Sequence, residues 1–585
     1  MAMARLRPSS SRVCPSKIRQ LWISKRFIRM RIGAFAGFVL CRPPDLLCGP
    51  PDYAEVIGCS AKVIPVGRWQ DDHANRQAEG TGMTADSQET LRGQACAVRW
   101  NLRPFIDGAY CDSASDGVVA TVDPATGEKL ADMAAGSTGD VERAVASARR
   151  AFEDGRWSSI GAATRRAVLS ALADGIVERA EELALLDCLE IGKPISQARF
   201  EATALAPAFA RFCAETVDKL FGVVGNTEPG VLAFSRPEAR GVVAAISPWN
   251  FPLVNAVIKV LPALAAGNSV ILKPSEMSSA SALKLAEIAL AVGIPPGVFN
   301  VVTGLGSTVG AALAVHPDID FLSFTGSTQT GLRLMTLRGS STVRPLLLEC
   351  GGKSPSVVFD DIEDVAAVAA RVCADALWNQ GQLCVARTRL IVHERIAPAL
   401  LEAVRAQIGA FVPGDPLDPD TGFGVLAGRT HWQRVAEMVA RGVSAGADLV
   451  AGGLPSDQGG CAMAPMVLEP RDADNPLWLE EVFGPVVAMR RFSTCDEAFR
   501  LANESGYGLA ATIWTRNLDI AHQAARTVRA GEVIVRSVPD DREGAGFSLP
   551  QEAMGGSGFG VETGIEGIRS YMNWKKVEFH TATGF

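Results

Sequence analysis

Histidine is scarce in this chain, with six in 585 residues. The thirteen cysteines form no Cys-x-x-Cys pair and no Cys/His cluster with zinc spacing. No bound metal and no disulfide framework is therefore expected. Buried cysteines of this sort serve as small apolar fillers in a reducing compartment, so the cytoplasm is the expected location. Long apolar runs are lacking too: the longest candidate, IGAFAGFVL at 32–40, is about half of what a membrane-spanning helix needs. A basic excess is also missing. The net charge of −7 and pI of about 5.6 speak against nucleic acid as the main partner. No internal repeat or low-complexity tract is visible.

What is present is a globular composition, 48% hydrophobic and 21% charged, in a chain too long for a single core. The charge is uneven. The first 82 residues hold thirteen Lys and Arg against six Asp and Glu, with no acid before Asp45. They lack sustained periodicity and contain CRPPDLLCGPPDY. An acid-poor, Ser/Arg-containing start is compatible with a transit peptide. The plainer reading is an upstream extension, with the working chain beginning at Met83. Residues 1–95 are accordingly expected to be a basic extension, disordered or artefactual.

Regular text begins near residue 98. FIDGAY and GVVATVDPATGE read as short strands with Asp-Gly and Pro-Ala-Thr-Gly turns. DVERAVASARRAFEDG has helical spacing, with Asp140 as its expected cap and Gly155 as its stop. Strand–turn–helix units follow, from GVVAAI-SPWNFP-LVNAVIKVLPALAAG through SVILKP, VFNVVT and FLSFTG. Such alternation implies an α/β fold, a mostly parallel sheet covered on both faces, with ligands at the carboxyl ends of its strands. After PLLLECGGKSPSVVFDD the alternation restarts, which predicts a second α/β domain. GVLAFSRPEARGVVAA and SYMNWKKVEFHTA alternate like strands.

One cysteine stands apart. Cys384 lies in NQGQLCVAR (379–387), a polar, glycine-containing turn between the helix-like DVAAVAARVCADAL and the strand-like TRLIVHE. Five further motifs surround it: SPWNFPL (247–253), KPSE (273–276), FTGSTQTG (324–331), ECGGKSP (349–355) and EEVFGPV (480–486). Together, and in this order, they resemble the aldehyde dehydrogenase superfamily over roughly 98–580. Any one alone would be weak; six in order on the expected elements are specific. The likeness is greatest to non-acylating members that oxidise betaine aldehyde and gamma-glutamylaminobutyraldehyde.

The resemblance implies a Rossmann-like cofactor domain over 98–348, interrupted by an arm segment at 222–240. It implies a catalytic domain over 349–555, and over 556–585 an arm strand and a return to the cofactor domain. A homodimer or homotetramer built through the arm is expected, as is NAD-dependent oxidation of an aldehyde to a carboxylic acid. The chemistry explains the residues. Hydride leaves an aldehyde carbon readily only from a tetrahedral adduct bearing an oxyanion, and a thiolate supplies that adduct. The site therefore needs an accessible cysteine of lowered pKa, and Cys384 matches it. No histidine lies close in sequence, His393 being nine residues on. Activation is expected instead from backbone N–H groups and the positive nicotinamide ring. Asn250, between Pro248 and Pro252, matches the family's oxyanion donor, together with the N–H of Cys384 itself. Glu349, ending PLLLE before a glycine pair, matches the base that activates water against the thioester. Its presence sets the chain apart from the branch that passes the acyl group to coenzyme A.

Cofactor contacts follow from the same resemblance. Ile246, Ser247, Pro248 and Trp249 match positions at a strand end and its turn. Lys273, Ser275 and Glu276 match the group around the adenosine ribose, and a carboxylate there repels a 2′-phosphate, which favours NAD and leaves NADP open. Gly306 and Gly310 match a close backbone approach. Phe324, Thr325, Gly326 and Ser327 open a helix whose N–H groups suit a pyrophosphate. Cys350, beside the base, and Glu481 and Phe483, matched to the nicotinamide ribose, complete the set.

Three places depart from the family pattern. Cys350 stands where leucine is common, Arg536 where most members have asparagine, and Pro550-Gln551-Glu552-Ala553 where Pro-Phe-Gly-Gly is usual. The acidic DDREG (540–544), with Glu215, would suit cationic or amino-aldehydes, a solvated loop being the plainer reading. Two rivals stay open: a thiol-dependent esterase or thioesterase, and an inactive nucleotide-binding scaffold.

Overall fold

The apolar runs VVAAI, SVILK, FLSFT and LLLE become four adjacent strands, Val242–Ile246, Ser269–Lys273, Phe321–Thr325 and Leu346–Glu349. They are buried nearly throughout, as expected of parallel strands covered on both faces. The computed structural model to which they belong describes residues 85–540, 542 and 544–582. The transit-peptide and upstream-extension readings of residues 1–82 lie outside these. The extension expected over 1–95 has structure at its end: Ala85–Ala97 form a helix, with Leu91 buried and Arg92 paired to Asp415 at 2.5 Å.

The first sheet has eight strands. Five are parallel, in the spatial order Phe299–Val301, Ser269–Lys273, Val242–Ile246, Phe321–Thr325, Leu346–Glu349. The chain starts at the central strand, builds two strands to one side, then crosses to build the other two. The order reverses between Val242–Ile246 and Phe321–Thr325, and a crevice opens outside the strand ends at such a switch point. Short antiparallel strands close both edges, Phe105–Ile106 with Ala109–Tyr110 on one side and Gly558–Phe559 on the other.

The second sheet has seven strands. Met466–Pro470, Val486–Phe492, Arg389–His393, Pro355–Val358, Ala510–Trp514 and Glu532–Arg536 run parallel in that order, with Ala447–Gly452 antiparallel at one edge. Residues 350–354 carry the chain from the last long strand of the first sheet to the first strand of the second. The segments at 222–240 and 571–581 also come together: Met572–His580 pairs antiparallel with Val231–Ala239, and Val223–Val224 adds a third strand.

One helix start differs from expectation. The N-cap of Thr138–Glu153 is Ser137, not Asp140. Asp140 sits three residues in, where its Oδ2 accepts from the Ser137 N–H at 2.8 Å and from Ser137 Oγ at 3.0 Å. A carboxylate reaching back to the cap satisfies donors that the first turn leaves free, so the pair divides the role assigned to one residue. Gly155, with φ +78°, follows the helix's last turn as expected.

Candidate active site

Strand ends form one wall of the site. The register sets Ile246 beside Lys273 and Phe324, and Thr325 beside Glu349, along one carboxyl edge. The turn after Ile246 carries Asn250, which is buried, and Ser247 N donates to Lys273 O at 3.1 Å.

The Cys384 loop comes from the other sheet. Asn379 and Gln380 adopt left-handed backbone conformations, φ 49° and 58°. Each such residue costs on the order of 1–3 kcal/mol, which a packed surrounding must offset. Here side-chain amides do so. Asn379 Nδ2 donates to Asn250 O at 2.9 Å, Gln382 Nε2 donates to Asn379 O at 3.1 Å, and Gln382 Oε1 accepts from Ala427 N at 3.0 Å. The polar flank of Cys384 is thus buried rather than set on an open turn, and its amides serve backbone groups that water cannot reach. Asn250 Nδ2 donates to Gln382 O at 3.0 Å, and Asn250 Oδ1 accepts from Asn255 Nδ2 at 3.4 Å. Asn250 is therefore bonded on both its main chain and its side chain to the loop that presents the cysteine.

The glycine pair after Glu349 supplies the second closure. A Cβ on Gly351 would stand 2.2 Å from Glu481 Oε2, and one on Gly352 would stand 2.2 Å from the Cys384 carbonyl oxygen. Gly352 N donates to Glu481 Oε1 at 2.8 Å. Gly381, with φ +71°, lies where a Cβ would meet Gly484 O at 2.3 Å. Two bare backbones thus bring Glu349, Cys384 and Glu481 into one neighbourhood.

Electrostatics correct one expectation. Burial pushes the Cys384 thiol up to about 12, the carboxylates of Glu481, Glu349 and Glu562 add to it, and the Val385 N–H opposes. Cys384 is half-buried, and its sulfur in the free enzyme is a thiol, not the lowered-pKa group that its sequence context suggested. Glu349 is held well above the usual carboxylate range by burial and then by Glu562, while Lys259 pulls it down. Glu481 rises to about 7 through burial, opposed by the Gly352 N–H and by Lys353.

Lys259 and Glu562 were not singled out in the sequence. Lys259 is fully buried and pairs with Glu562. Glu562 reaches this place because Gly558–Phe559 pairs with Leu348–Glu349. The one available signal was a lysine inside the helix Pro252–Ala265, whose only other polar residue is Asn255. His431 was missed too. It donates through Nε2 to Phe483 O at 2.8 Å and lies 5.0 Å from the Trp249 ring, centroid to centroid. Burial lowers it to about 4, so it is neutral. Phe483, itself at φ 58°, stacks edge-on to Trp249 at 5.4 Å.

The remaining expected residues divide into two sets. Lys273 Nζ donates to Pro274 O at 2.8 Å and to Glu276 Oε2 at 3.0 Å. Ser275 Oγ accepts from Met277 N at 3.2 Å. Glu276 and Met277 face a cavity of about 360 Å³, shared with the hairpin at 119–127 and with 427–429. Ser327 caps the helix Thr328–Ser341 by accepting from Thr330 N at 3.3 Å, and Gly326 N donates to Glu349 O at 3.0 Å. Thr325 Oγ1 is buried with no hydrogen-bond partner. No atom lies within 4 Å of a Cβ built on Gly306. An open glycine, a helix N-terminus, an unpartnered hydroxyl and a carboxylate along one strand edge fit a dinucleotide. Gly310 packs against Ile246, and Cys350 is buried among Ile246, Phe324, Leu334 and Leu348. Burial raises the Cys350 thiol to about 12, as suits an apolar filler.

Arg536 is half-buried over the Trp514 ring and donates to Asp540 O at 3.0 Å, while Asp540 also pairs with Arg542. Asp541 and Glu543 lie outside the described residues, and Glu215 is exposed. Among the described residues no group of three or more metal-ligating side chains gathers, and no helix is long and apolar enough to cross a membrane.

Known proteins resemble this chain in sequence and in fold. A profile of the aldehyde dehydrogenase family matches residues 110–577. The chain is 42% identical over 487 residues to the NADP/NAD-dependent aldehyde dehydrogenase PuuC of Escherichia coli, covering 83% of this chain and 97% of that one. It is 40% identical over 474 residues to aminoacetaldehyde dehydrogenase of Pseudomonas aeruginosa, covering 81% and 94%. A mutant of P. syringae AldA indole-3-acetaldehyde dehydrogenase, solved in complex with NAD+ and IAA, superposes with a TM-score of 0.82 at 38% identity, over 84% of this chain and 99% of that one. The chain therefore belongs to the aldehyde dehydrogenase family, as an NAD-dependent oxidoreductase acting on the aldehyde group.

Proposed function

We propose that Cys384 is the nucleophile, Asn250 the oxyanion donor and Glu349 the base of this oxidation. Cys384 releases its thiol proton to water as Sγ adds to the aldehyde carbon, and the oxyanion of the thiohemiacetal so formed faces Asn250 Nδ2. A donor of this kind is worth roughly 100- to 1000-fold in kcat. NAD, when bound, supplies the acceptor for the hydride that leaves that adduct. The thioester left on Cys384 is then hydrolysed by water that gives its proton to Glu349, a buried carboxylate whose affinity for a proton is raised well above the usual by its surroundings. One observation carries the assignment: the Gly351–Gly352 link, with no side chains, joins Glu349 to the backbone of Cys384.

Ile246, Ser247, Pro248, Trp249, Lys273, Ser275, Glu276, Gly306, Gly310, Phe324, Thr325, Gly326, Ser327, Cys350, Glu481 and Phe483 form the cofactor side. Glu276 favours NAD over NADP. The unit built on the eight-stranded sheet takes the cofactor role, and the unit built on the seven-stranded sheet supplies the nucleophile. The three-stranded arm, with Val223, Val224 and Phe579 exposed, supports a homodimer or homotetramer. The cytoplasm suits a chain rich in free thiols.

A panel of aldehydes, including aminoacetaldehyde, betaine aldehyde and indole-3-acetaldehyde, tests the reading through NADH absorbance, with Cys384→Ser as control. NADH formation that survives in Cys384→Ser would overturn it.

A further inference from the structure

An oxyanion donor works only while its N–H faces the reacting centre. An asparagine amide presents N–H or C=O depending on a half-turn about its last bond. The orientation of Asn250 is therefore set by its partners. One is the Cys384 loop, where Asn250 Nδ2 donates to Gln382 O at 3.0 Å. The other is Asn255, whose Nδ2 donates to Asn250 Oδ1 at 3.4 Å. Asn255 is fixed in turn, because its backbone N–H donates to Phe251 O at 2.8 Å in the first turn of the helix Pro252–Ala265. Twelve of that helix's fourteen residues are buried, which leaves Asn255 and Ile258, one turn apart, partly accessible. A polar side chain is not required there to complete the core.

The geometry points to Asn255 as a positioning residue: its amide N–H holds the Asn250 side-chain oxygen, so that Asn250 Nδ2 stays turned toward the Cys384 loop. This rests on Asn250 being the oxyanion donor proposed above. Leucine at 255 would keep the helix and remove the donor. Aspartate at 255 would set an acceptor against Asn250 Oδ1 and favour the flipped amide, which turns an oxygen toward the developing negative charge.

A double-mutant cycle tests this, read as kcat and KM separately, with thermal unfolding to confirm that each variant folds. Asn255→Leu is expected to lower kcat about fivefold, the scale of one neutral hydrogen bond, with little change in KM. Asn255→Asp is expected to lower it further. In an Asn250→Ala background, Asn255→Leu should have no additional effect on kcat, because its only route to the reaction is gone. A fivefold loss that persists in that background would overturn the inference, as would unchanged kcat in both folded Asn255 variants. If Asn250→Ala leaves kcat intact, the donor role of Asn250 fails and this inference with it. If Asn250→Ala is slow while the Asn255 variants are not, only this inference fails.

Discussion

Gly352 and Cys384 meet backbone to backbone, so closely that a Cβ on the glycine would lie 2.2 Å from the Cys384 carbonyl oxygen. That oxygen cannot swing aside, whereas the Glu481 carboxylate opposite Gly351 can. Gly352→Ala is therefore expected to displace the nucleophile's loop and lower kcat about 100-fold, the scale of an ångström-sized misplacement. Gly351→Ala should cost distinctly less. Steady-state kinetics of the two variants checks the ranking, and equal losses would contradict it.

Glu349 responds to two neighbours of opposite sign. Glu562→Gln removes a negative charge that raises it, so the acid limb of the kcat profile should move to lower pH. Lys259→Met removes the positive charge that lowers it, so the limb should move to higher pH. Measuring kcat against pH for both variants decides the matter. Shifts in the same direction would show that the Lys259–Glu562 pair does not act on the base through charge.

The Cys384 thiol is pushed up to about 12 in the free enzyme, so little of it is thiolate near neutral pH. Alkylation of Cys384 by iodoacetamide, followed by peptide mass, should be slow at pH 7 and still rising at pH 10, because the thiolate is the reactive form. Added NAD should speed the reaction at pH 7. A rate that has already levelled off by pH 8 without cofactor would contradict the neutral thiol.

Burial alone would raise Asp140, but the N–H groups of Ser137 and Ala114, with Arg143 and Ser113, hold it down to about 2. A carboxyl whose folded pKa lies below its unfolded value near 4 contributes stability above about pH 4 and loses it as pH falls toward 2. Its side chain is fully buried, and the difference corresponds to about 2 kcal/mol. Unfolding free energies of the native protein and Asp140→Asn should differ by about that much at pH 7 and converge near pH 2.

How far the sequence revealed the site follows from the kinds of interaction involved. Asn250, Glu349 and Cys384 each lie in a short motif on a strand end or turn, and local patterning places such segments well. The strand runs were legible because parallel strands buried on both faces are continuously apolar. Lys259 and Glu562 were not legible, because their pairing depends on Gly558–Phe559 returning to the first sheet after the whole second sheet has been built. Nor was the state of Cys384, since burial and three carboxylates from distant segments set it rather than the residues beside it. The buried amides of Asn379 and Gln382 misled for a similar reason: polar residues between two apolar elements read as solvent-facing, yet these satisfy main-chain groups within the fold.

The division of labour between Cys384 and Glu349 has a direct test in Glu349→Gln, mixed with NAD and a good aldehyde substrate and quenched within one turnover. The account predicts a burst of about one NADH per active site, slow turnover afterwards, and an acyl mass carried by the peptide containing Cys384. Full steady turnover with no acyl group on that peptide would contradict it.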